Sequence, residues 1–509
     1  MIAAAVMQAA SLPKFNFSFL AFFFLIPLLY ALEKQKVKKA FWLFFRFSFL
    51  SYLLLLYWIP NVMVYYGGMS GAVSILGLFI LAAFLSLFTA LAGSLINMLF
   101  KLKRGILSLL VIPFIWVAKD LVLEKILSGF PWSSIGYSQY KNIYFVQIAE
   151  IGGIHLVTFV VIFFNVLLYL LIMRKDVRLK LAAVTAISII GLYTTGYFLY
   201  QGNESKNRAL PTHTAGILQP NSQNGEYLDA NGKNNKLDEF LNDSKALKEK
   251  GAEFVIWPEY SIYIYPLQNK FFYKRFMNFA KNNVPILAGF TDLKSDREIY
   301  NSLMLFPKLG GDPALPVKTN DKFQKYDKIH LTPFGEYLLF RKVLFFVERI
   351  TDEIGDFTPG KEVHNLQLDG HLLATPICYE LIFPELVREF TSQGGEVIII
   401  TSNDSWYGNT SAPYQLLAMS TLRSIENRRY ILRSTTNGIS ALIAPSGEIL
   451  YQSPFNTKDT FTAKFKYIQR KTVFMRFGYL FPYFCFLFLV FYFVTKALGI
   501  SRNRRLVHP

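Results

Sequence analysis

The stretch from Leu372 to Glu380 reads LLATPICYE, and it ends an apolar run on a cysteine and a carboxylate. Short apolar runs that stop at Pro or polar residues are typical of buried β-strands, so we expect Cys378 at the end of one. A lone cysteine is often only a small buried hydrophobe. Because Cys378 stands beside Glu380 at a strand end, the sequence favours a nucleophile, provided that a base and an oxyanion donor lie nearby.

Two other motifs could supply the base and the oxyanion donor. Glu259 follows the apolar run of EFVIWPEY (253–260), where a rigidly held carboxylate could take the thiol proton. Lys328, in YDKIHLTPFGE (326–336), could place its ammonium beside a developing oxyanion, and Glu336 could orient it. Taken singly, each residue could equally be a solvated charge or a salt-bridge partner, and their spacing follows no structural period.

The segment 201–474 around these motifs alternates between strand-like and helix-like patterns. Apolar runs bounded by Gly, Pro or Asn occur at 214–220, 253–260, 284–291, 301–306, 372–380 and 396–404, and a final pair occupies 430–437 and 439–452. Helical patterns lie between several of them, for example at 236–250 and 412–428. Alternation of this kind predicts a layered α/β domain.

The rest of the chain predicts helices that span a membrane. A span needs about 20 consecutive, mostly apolar residues, and such segments lie near 16–32, 40–60, 72–100, 105–123, 154–173, 180–200 and 477–498. Residues 1–12 could form a short first helix or a disordered terminus. Lys and Arg cluster after alternate spans and are sparse in 61–71 and 124–153, which predicts that 201–474 lies on the external face. With residues 1–12 counted as a helix, both termini are expected in the cytoplasm.

Composition excludes several classes of protein. Of the 509 residues, 52% are hydrophobic and 49 are Phe, which is too apolar for an ordinary soluble or disordered chain. The net charge of +18 does not indicate nucleic-acid binding, because the basic residues flank apolar spans. Two cysteines and six scattered histidines provide neither a disulfide framework nor a ligand-spaced metal cluster. The second cysteine, Cys485, lies in the last apolar span, so we expect no pairing with Cys378.

Three aromatic-rich segments indicate contact with lipid. The loop GFPWSSIGYSQY (129–140) lacks charge, and it could anchor the chain at the headgroup level or form a lip over which a lipid enters. The apolar residues of 263–273 and 337–347 follow the base and lysine motifs. We expect them to form mobile arms at the membrane interface, with ordinary core packing as the alternative.

Together these motifs resemble a known family. WPE, the lysine of YDKIHLTPFGE, CYE, SNDSWYG (402–408) and RSTTNGISALIAPSGEI (433–449) are similar to the nitrilase (carbon-nitrogen hydrolase) superfamily, whose members use a Glu–Lys–Cys triad. With the membrane helices and the GFPWSSIGYSQ loop, most of the chain resembles the apolipoprotein N-acyltransferase family. The resemblance implies about eight membrane helices plus an α-β-β-α sandwich. The expected domains are 1–200, 201–474 and a C-terminal helix with its tail, 475–509.

The resemblance also implies roles for the motif residues. Glu259 would be the general base, Lys328 the oxyanion-side cation and Cys378 the nucleophile. Glu336 would be the second carboxylate near the lysine, and Tyr379 and Glu380 would shape the site beside the nucleophile. No metal or diffusible cofactor is implied.

The implied reaction is a ping-pong acyl transfer in the bacterial inner membrane. Cys378 would take an acyl chain from a phospholipid, usually phosphatidylethanolamine, and the thioester would pass it to the α-amino group of a lipoprotein's diacylglyceryl-cysteine. The expected partners are therefore these two substrates and the lipid bilayer, with no nucleic acid, and we expect a monomer.

Two other functions remain open from the residues. The same triad could serve a membrane-anchored nitrilase-type amidase that hydrolyses a C–N bond, and transfer to an amine rather than to water would distinguish the two. A lipid-binding protein with a vestigial site is a third possibility, but all three triad residue types are present, which argues against it.

Overall fold

The computed structural model describes residues 1–65, 68–101, 106–132, 134–222, 229–295, 298–307, 324–333, 335–337 and 357–505. The chain forms two compact units. The first comprises Met1–Tyr57, Leu76–Leu199 and Phe477–Pro509, and the second comprises Trp58–Ile75 and Tyr200–Arg476. The short segment Trp58–Ile75 therefore packs with the second unit, although it lies between apolar helices in the sequence.

The helices of the described residues follow in chain order. They are α1 (Ile2–Ser11), α2 (Ile26–Leu32), α3 (Val37–Leu55), α4 (Ile59–Tyr65), α5 (Gly71–Phe100), α6 (Ile106–Leu109), α7 (Ile112–Lys125), α8 (Ala149–Met173), α9 (Arg178–Arg208), α10 (Ala230–Glu249), α11 (Lys270–Asn282), α12 (Pro384–Ser392), α13 (Ala412–Asn427), α14 (Val473–Phe477) and α15 (Leu480–Arg505). Residues 1–12 are thus helical rather than disordered, but ten helical residues are about half of a full span.

The number of full-length spans is lower than predicted. Within the described residues, three helical stretches are long and apolar enough to cross a membrane, namely Gly71–Phe100, Phe145–Met173 and Lys175–Arg208. A fourth results if α3 and α4 are counted as one broken span, and shorter apolar helices cover Ile2–Ser11, Ser18–Leu32 and Leu480–Lys496.

Part of the shortfall from about eight spans has a local cause. A 3-10 turn at Ser18–Phe22 precedes α2, and Pro27 and Pro113 lie in the first turns of α2 and α7. Proline lacks the N–H that a helix interior needs, so it starts helices rather than continuing them. Hydropathy cannot detect such breaks.

The second unit contains two six-stranded sheets. The strands are β1 (His213–Gln219), β2 (Phe254–Ile256), β3 (Ile286–Ser295), β4 (Glu298–Phe306), β5 (Gln324–Asp327), β6 (Leu366–Leu368), β7 (His371–Ala374), β8 (Val397–Ser402), β9 (Ile431–Thr435), β10 (Ala441–Ile443), β11 (Ile449–Gln452) and β12 (Asp459–Phe465). One sheet has the order β12-β1-β2-β3-β4-β5 and the other β11-β10-β9-β8-β7-β6. Every apolar run that was predicted as a strand overlaps at least one of them.

The layers are those of the predicted sandwich. Helices α10 and α11 pack on the first sheet, and α12 and α13 pack on the second. The sheets meet through β1 and β9, where the Ser434 hydroxyl donates to the Leu218 carbonyl at 2.7 Å. The helix–sheet–sheet–helix order confirms the α-β-β-α prediction.

Parallel strands bring the motifs to one edge of each sheet. In the first sheet β1, β2 and β3 run parallel, and in the second β7, β8 and β9 do so. Glu259 follows β2, Cys378 follows β7, and Asp404 follows β8. Residues beyond the carboxyl ends of parallel strands lie together, which is the usual place for a site in an α/β fold.

Candidate active site

Glu259 is held in a fixed, buried position beyond β2. Its side chain is almost fully buried, with 1% of its surface exposed. Its Oε1 accepts a hydrogen bond from the Asn301 side chain at 2.7 Å, and its Oε2 accepts one from the Asn403 backbone N–H at 2.8 Å. Gly289 permits this backbone path, because a Cβ there would lie 2.6 Å from the Glu259 Cα. These contacts leave the carboxylate little freedom to rotate.

Lys328 lies between two carboxylates. Its Nζ is 3.3 Å from Oε1 of Glu259 and 2.9 Å from Oε2 of Glu336. Burial alone would lower the pKa of Lys328, but the negative charges of Glu336 and Glu259 outweigh it and raise the pKa above its ordinary value. The lysine therefore remains a cation, as stabilisation of an oxyanion requires.

Glu336 completes this charged group. Burial raises the pKa of its carboxyl, but the Lys328 ammonium and the Thr332 backbone N–H, which donates at 2.8 Å, lower it further, and the net pKa lies below the ordinary range. Tyr260 and Asn301 also donate to its Oε1, at 3.1 Å and 2.7 Å. Glu336 thus stays ionised beside the lysine.

Cys378 begins a short 3-10 helix, Cys378–Ile382, directly beyond β7. Its φ of 49° lies in the left-handed region, which costs energy for a residue with a side chain and recurs at functional turns. The Ser402 Oγ lies 3.2 Å from its Sγ. Burial and the charge of Glu259 raise the pKa of the thiol well above its ordinary value, although Lys328 acts in the opposite direction. The nucleophile is therefore a neutral thiol at rest.

Glu380 connects the nucleophile to the lysine. Its Oε2 accepts from the Ile377 backbone N–H at 2.8 Å, while its Oε1 accepts from the backbone N–H groups of Ile329 and His330 at 2.8 Å and 3.1 Å. The Tyr326 hydroxyl also donates to Oε1, at 2.8 Å. One carboxylate therefore fixes the turn of Cys378 against the segment that carries the lysine.

Tyr379 lies on the other side of the nucleophile turn. Its side chain is buried, and its ring packs edge-on against Phe383, with 5.4 Å between centroids. The His330 ring lies 5.9 Å away. Tyr379 thus forms part of an aromatic wall next to Cys378.

The sequence did not predict several polar residues of the site. Asn301, a residue of β4 that belongs to no recognised motif, donates from its amide nitrogen to both Glu259 and Glu336 at 2.7 Å. Ser402 contacts Sγ and also donates to Asp404 at 2.6 Å, and Asp404 forms a fully buried ion pair with Arg433 at 2.8 Å. Single polar residues at strand ends produce no pattern, although Ser402 and Asp404 fall within the SNDSWYG motif.

Trp58 also reaches the surroundings of the nucleophile. Its ring packs edge-on against Tyr407 with 5.2 Å between centroids, and its Nε1 donates to the Gln415 side chain at 3.3 Å. Tyr407 in turn lies close to Cys378, since burial and then the proximity of Cys378 and Asp404 raise the pKa of its phenol. The segment between α3 and α5 therefore supports the loop beside the nucleophile.

The predicted lipid-contacting arms are only partly described. In 263–273, Tyr263, Tyr265 and Phe271 are exposed, while Ile264 and Phe272 belong to the buried core. Of the second arm, 337–347, only Tyr337 lies within the described residues. Among the described residues no cluster of three or more His, Cys, Asp or Glu side chains could hold a metal ion.

Comparisons with known proteins cover both units. Residues 4–167 match the apolipoprotein N-acyltransferase N-terminal domain, and residues 214–470 match the carbon-nitrogen hydrolase family. A curated apolipoprotein N-acyltransferase from Geobacter metallireducens is 29% identical over 493 residues, which cover 95% of this chain and 92% of the relative. Another, from Chlorobaculum tepidum, is 28% identical over 510 residues and covers 93% and 91%.

Among solved structures, Saccharomyces cerevisiae Nit3, a member of the nitrilase superfamily, is 15% identical and has a TM-score of 0.37. The match covers 50% of this chain and 90% of Nit3. The family match to 214–470 spans both sheets and all three of Glu259, Lys328 and Cys378. The chain thus belongs to the carbon-nitrogen hydrolase family, with the N-terminal domain of the apolipoprotein N-acyltransferases in front of it.

Proposed function

We propose that the chain is an apolipoprotein N-acyltransferase of the bacterial inner membrane, with residues 201–474 on the extracytoplasmic face. The observation that carries the proposal is a buried glutamate, lysine and cysteine at the strand ends of a domain that shares its chain with apolar, membrane-length helices. Relatives with this name match over most of the chain. An amidase is not favoured, because the match extends through the N-terminal domain.

The first half-reaction would form a thioester. Glu259 takes the proton of the Cys378 thiol as Sγ attacks the ester carbonyl of a phospholipid. The Lys328 ammonium stabilises the negative charge that develops on the carbonyl oxygen. When the tetrahedral intermediate collapses, the C–O bond breaks and the Glu259 carboxyl returns the proton to the leaving alcohol, so a lysophospholipid departs.

The second half-reaction would form an amide. The neutral α-amino group of the diacylglyceryl-cysteine attacks the thioester carbonyl, and Glu259 takes one of its protons. The intermediate then expels the sulfur, which regains a proton from Glu259 and restores the resting thiol. Glu259 acts as base and then acid in each half, which suits a carboxylate fixed by Asn301 and Asn403.

The proposal predicts acylation at one of the chain's two cysteines. After incubation of the purified protein with phosphatidylethanolamine, intact-mass spectrometry should show one added acyl chain, and peptide mapping should place it on Cys378. We expect Cys378→Ala to abolish the label and Glu259→Gln to slow its formation by roughly 100-fold or more, the usual range for loss of a general base. Cys485→Ala is the matched control and should label fully, because Cys485 lies in α15.

Addition of a diacylated lipopeptide should then remove the label and produce an N-acyl lipopeptide. A full label on Cys378→Ala would refute the thioester. Loss of the label to water as fast without the lipopeptide as with it would instead support the amidase.

A further inference from the structure

A second polar site lies in the first unit, outside the candidate active site. It is a cavity between α7, the loop that follows it and α8, and its walls include Asp120, Glu124, Phe130, Ser134, Tyr137 and His155. Its empty volume is about 330 Å³ including the open mouth. The enclosed part holds roughly one or two water-sized groups. Phe130, Ser134 and Tyr137 belong to the GFPWSSIGYSQY loop, to which the proposed chemistry assigns no role.

The backbone of α8 departs from helical geometry directly before a buried polar side chain of the cavity. Within α8, Gly152 and Gly153 leave the helical conformation, and Gly153 has a φ of 64°. A left-handed residue of this kind is accessible to glycine without strain. His155 follows the break and is 3% exposed. A buried imidazole in an otherwise apolar helix is costly unless its nitrogens are satisfied.

Only one of the two ring nitrogens of His155 has a polar partner within the described chain. Its Nε2 lies 3.4 Å from Oε2 of Glu124, whose other oxygen accepts a hydrogen bond from the Tyr479 hydroxyl. In the neutral form of the ring, the nitrogen that faces the carboxylate carries the proton and Nδ1 is an acceptor. Nδ1 has no hydrogen-bond partner within the described chain. The cavity therefore contains a buried acceptor that lacks a donor.

The charges of the walls do not balance either. Asp120 is paired with Lys119 at 2.5 Å and also accepts from the Ser134 hydroxyl at 3.3 Å. Glu124 is 7% exposed, and its sole ion-pair partner among the described residues is His155, which is charged only when protonated. With a neutral imidazole, the cavity thus holds one uncompensated negative charge.

A compact cation with donors and no acceptor would satisfy both deficits. A primary ammonium is such a group, since it has three N–H donors and no acceptor. The aromatic rings of Phe130 and Tyr137 in the wall also suit a cation. We propose that this cavity binds the primary ammonium group of a bilayer-anchored molecule.

Two substrates of the proposed function carry such a group. The inference rests on that function to name its ligand. One is a phospholipid whose headgroup ends in an ammonium, and the other is the lipoprotein acceptor with its free N-terminal amine. The cavity would select the donor lipid in the first case and hold the acceptor in the second.

The test measures binding without chemistry. Full-length Cys378→Ala protein is delipidated, exposed separately to phosphatidylethanolamine and to phosphatidylglycerol with the same acyl chains, and analysed by native mass spectrometry. We expect Glu124→Gln in this background to reduce phosphatidylethanolamine retention about tenfold, the loss expected for one charge-assisted hydrogen bond, and to leave phosphatidylglycerol unchanged. Glu33→Gln, an exposed glutamate of the same unit, is the matched control and should change neither.

A second arm compares a diacylated lipopeptide with a free α-amine and the same lipopeptide after N-acetylation. A loss on Glu124→Gln that is confined to the free-amine lipopeptide would assign the cavity to the acceptor, and a loss confined to phosphatidylethanolamine would assign it to the donor. If Glu124→Gln fails to fold, Tyr479→Phe keeps the carboxylate and removes one of its donors, and it should strengthen ammonium retention.

Equal retention of all four ligands by the variant and its parent would overturn the proposal, and the cavity would then be a structural hydrogen-bond network. Equal loss of phosphatidylethanolamine and phosphatidylglycerol would overturn it as well. Because no thioester forms in the Cys378→Ala background, these outcomes are independent of whether wild-type protein acylates Cys378.

Discussion

At the scale of single residues, the site combines a protonated nucleophile, Cys378, with a separate base, Glu259, rather than holding the cysteine as a thiolate. Burial and the neighbouring carboxylate of Glu259 keep the Cys378 thiol protonated, while Lys328 remains charged between two glutamates. The structure favours a proton transfer that accompanies attack, which needs the close and rigid Glu259.

This arrangement makes a prediction for pH dependence. Because the pKa of Cys378 is raised, we expect its alkylation by iodoacetamide to accelerate with pH throughout the range from about 7 to 9 without levelling off near 8.5, the pKa of an ordinary thiol.

Glu259→Gln should shift the same alkylation profile to lower pH, because it removes a negative charge that raises the thiol pKa. At pH 8 the variant should alkylate roughly tenfold faster, the effect of about one pKa unit, while its acylation by lipid becomes slower. An alkylation profile of Glu259→Gln that does not shift along the pH axis would contradict this division of roles. So would alkylation and acylation rates that change in the same direction. Alkylation of Cys378→Ala gives the background from Cys485.

At the scale of elements, the segment Trp58–Ile75 is the least expected part of the second unit. It follows an apolar helix and precedes another, yet α4 packs against the short 3-10 helix Asp404–Tyr407. The contact is specific, since Trp58 combines an aromatic contact to Tyr407 with a hydrogen bond to Gln415. The position of the Tyr407 loop beside the nucleophile thus depends on a residue more than 340 positions earlier in the chain.

We therefore predict that Trp58→Ala lowers the rate of thioester formation about tenfold without loss of folded protein, as the loop loses a buried ring and a hydrogen bond. Trp58→Phe should recover most of the rate, because it keeps the ring against Tyr407. Stopped-time intact-mass measurements would supply the rates. Trp42→Ala, at an exposed position in α3, serves as the control, and an equal slowing there would show that the effect is not specific to Trp58.

At the scale of the whole molecule, patterns that repeat were predictable and isolated contacts were not. The apolar runs predicted nine of the twelve described strands but not β5, β6 or β12, and the WPE, lysine and CYE motifs indicated Glu259, Lys328 and Cys378 as candidate site residues. Asn301 and Tyr260, by contrast, act through contacts across the sequence that no local pattern encodes. The helix count was too high because average apolarity does not reveal the breaks at Pro27 and Pro113.

The orientation of the chain in the membrane is also a property of the whole molecule, and the positions of the basic residues make it testable. In a background lacking both native cysteines, we predict that Lys361→Cys reacts with a membrane-impermeant maleimide in intact spheroplasts, whereas Lys175→Cys reacts only after lysis. Lys361 is an exposed residue of the second unit, and Lys175 lies in a basic loop that should face the cytoplasm. The reverse pattern would place the catalytic domain on the cytoplasmic face.

The near-complete burial of the triad affects how long an acyl group would remain on Cys378. Glu259 and Lys328 are each 1% exposed and Cys378 is 6% exposed, so bulk water has poor access to the sulfur. A thioester formed there would persist, because its hydrolysis requires a water molecule beside the same glutamate. With the proposed thioester, two lipid-anchored substrates that arrive by slow lateral diffusion would not need to meet, because Cys378 would hold the acyl group during the interval between them.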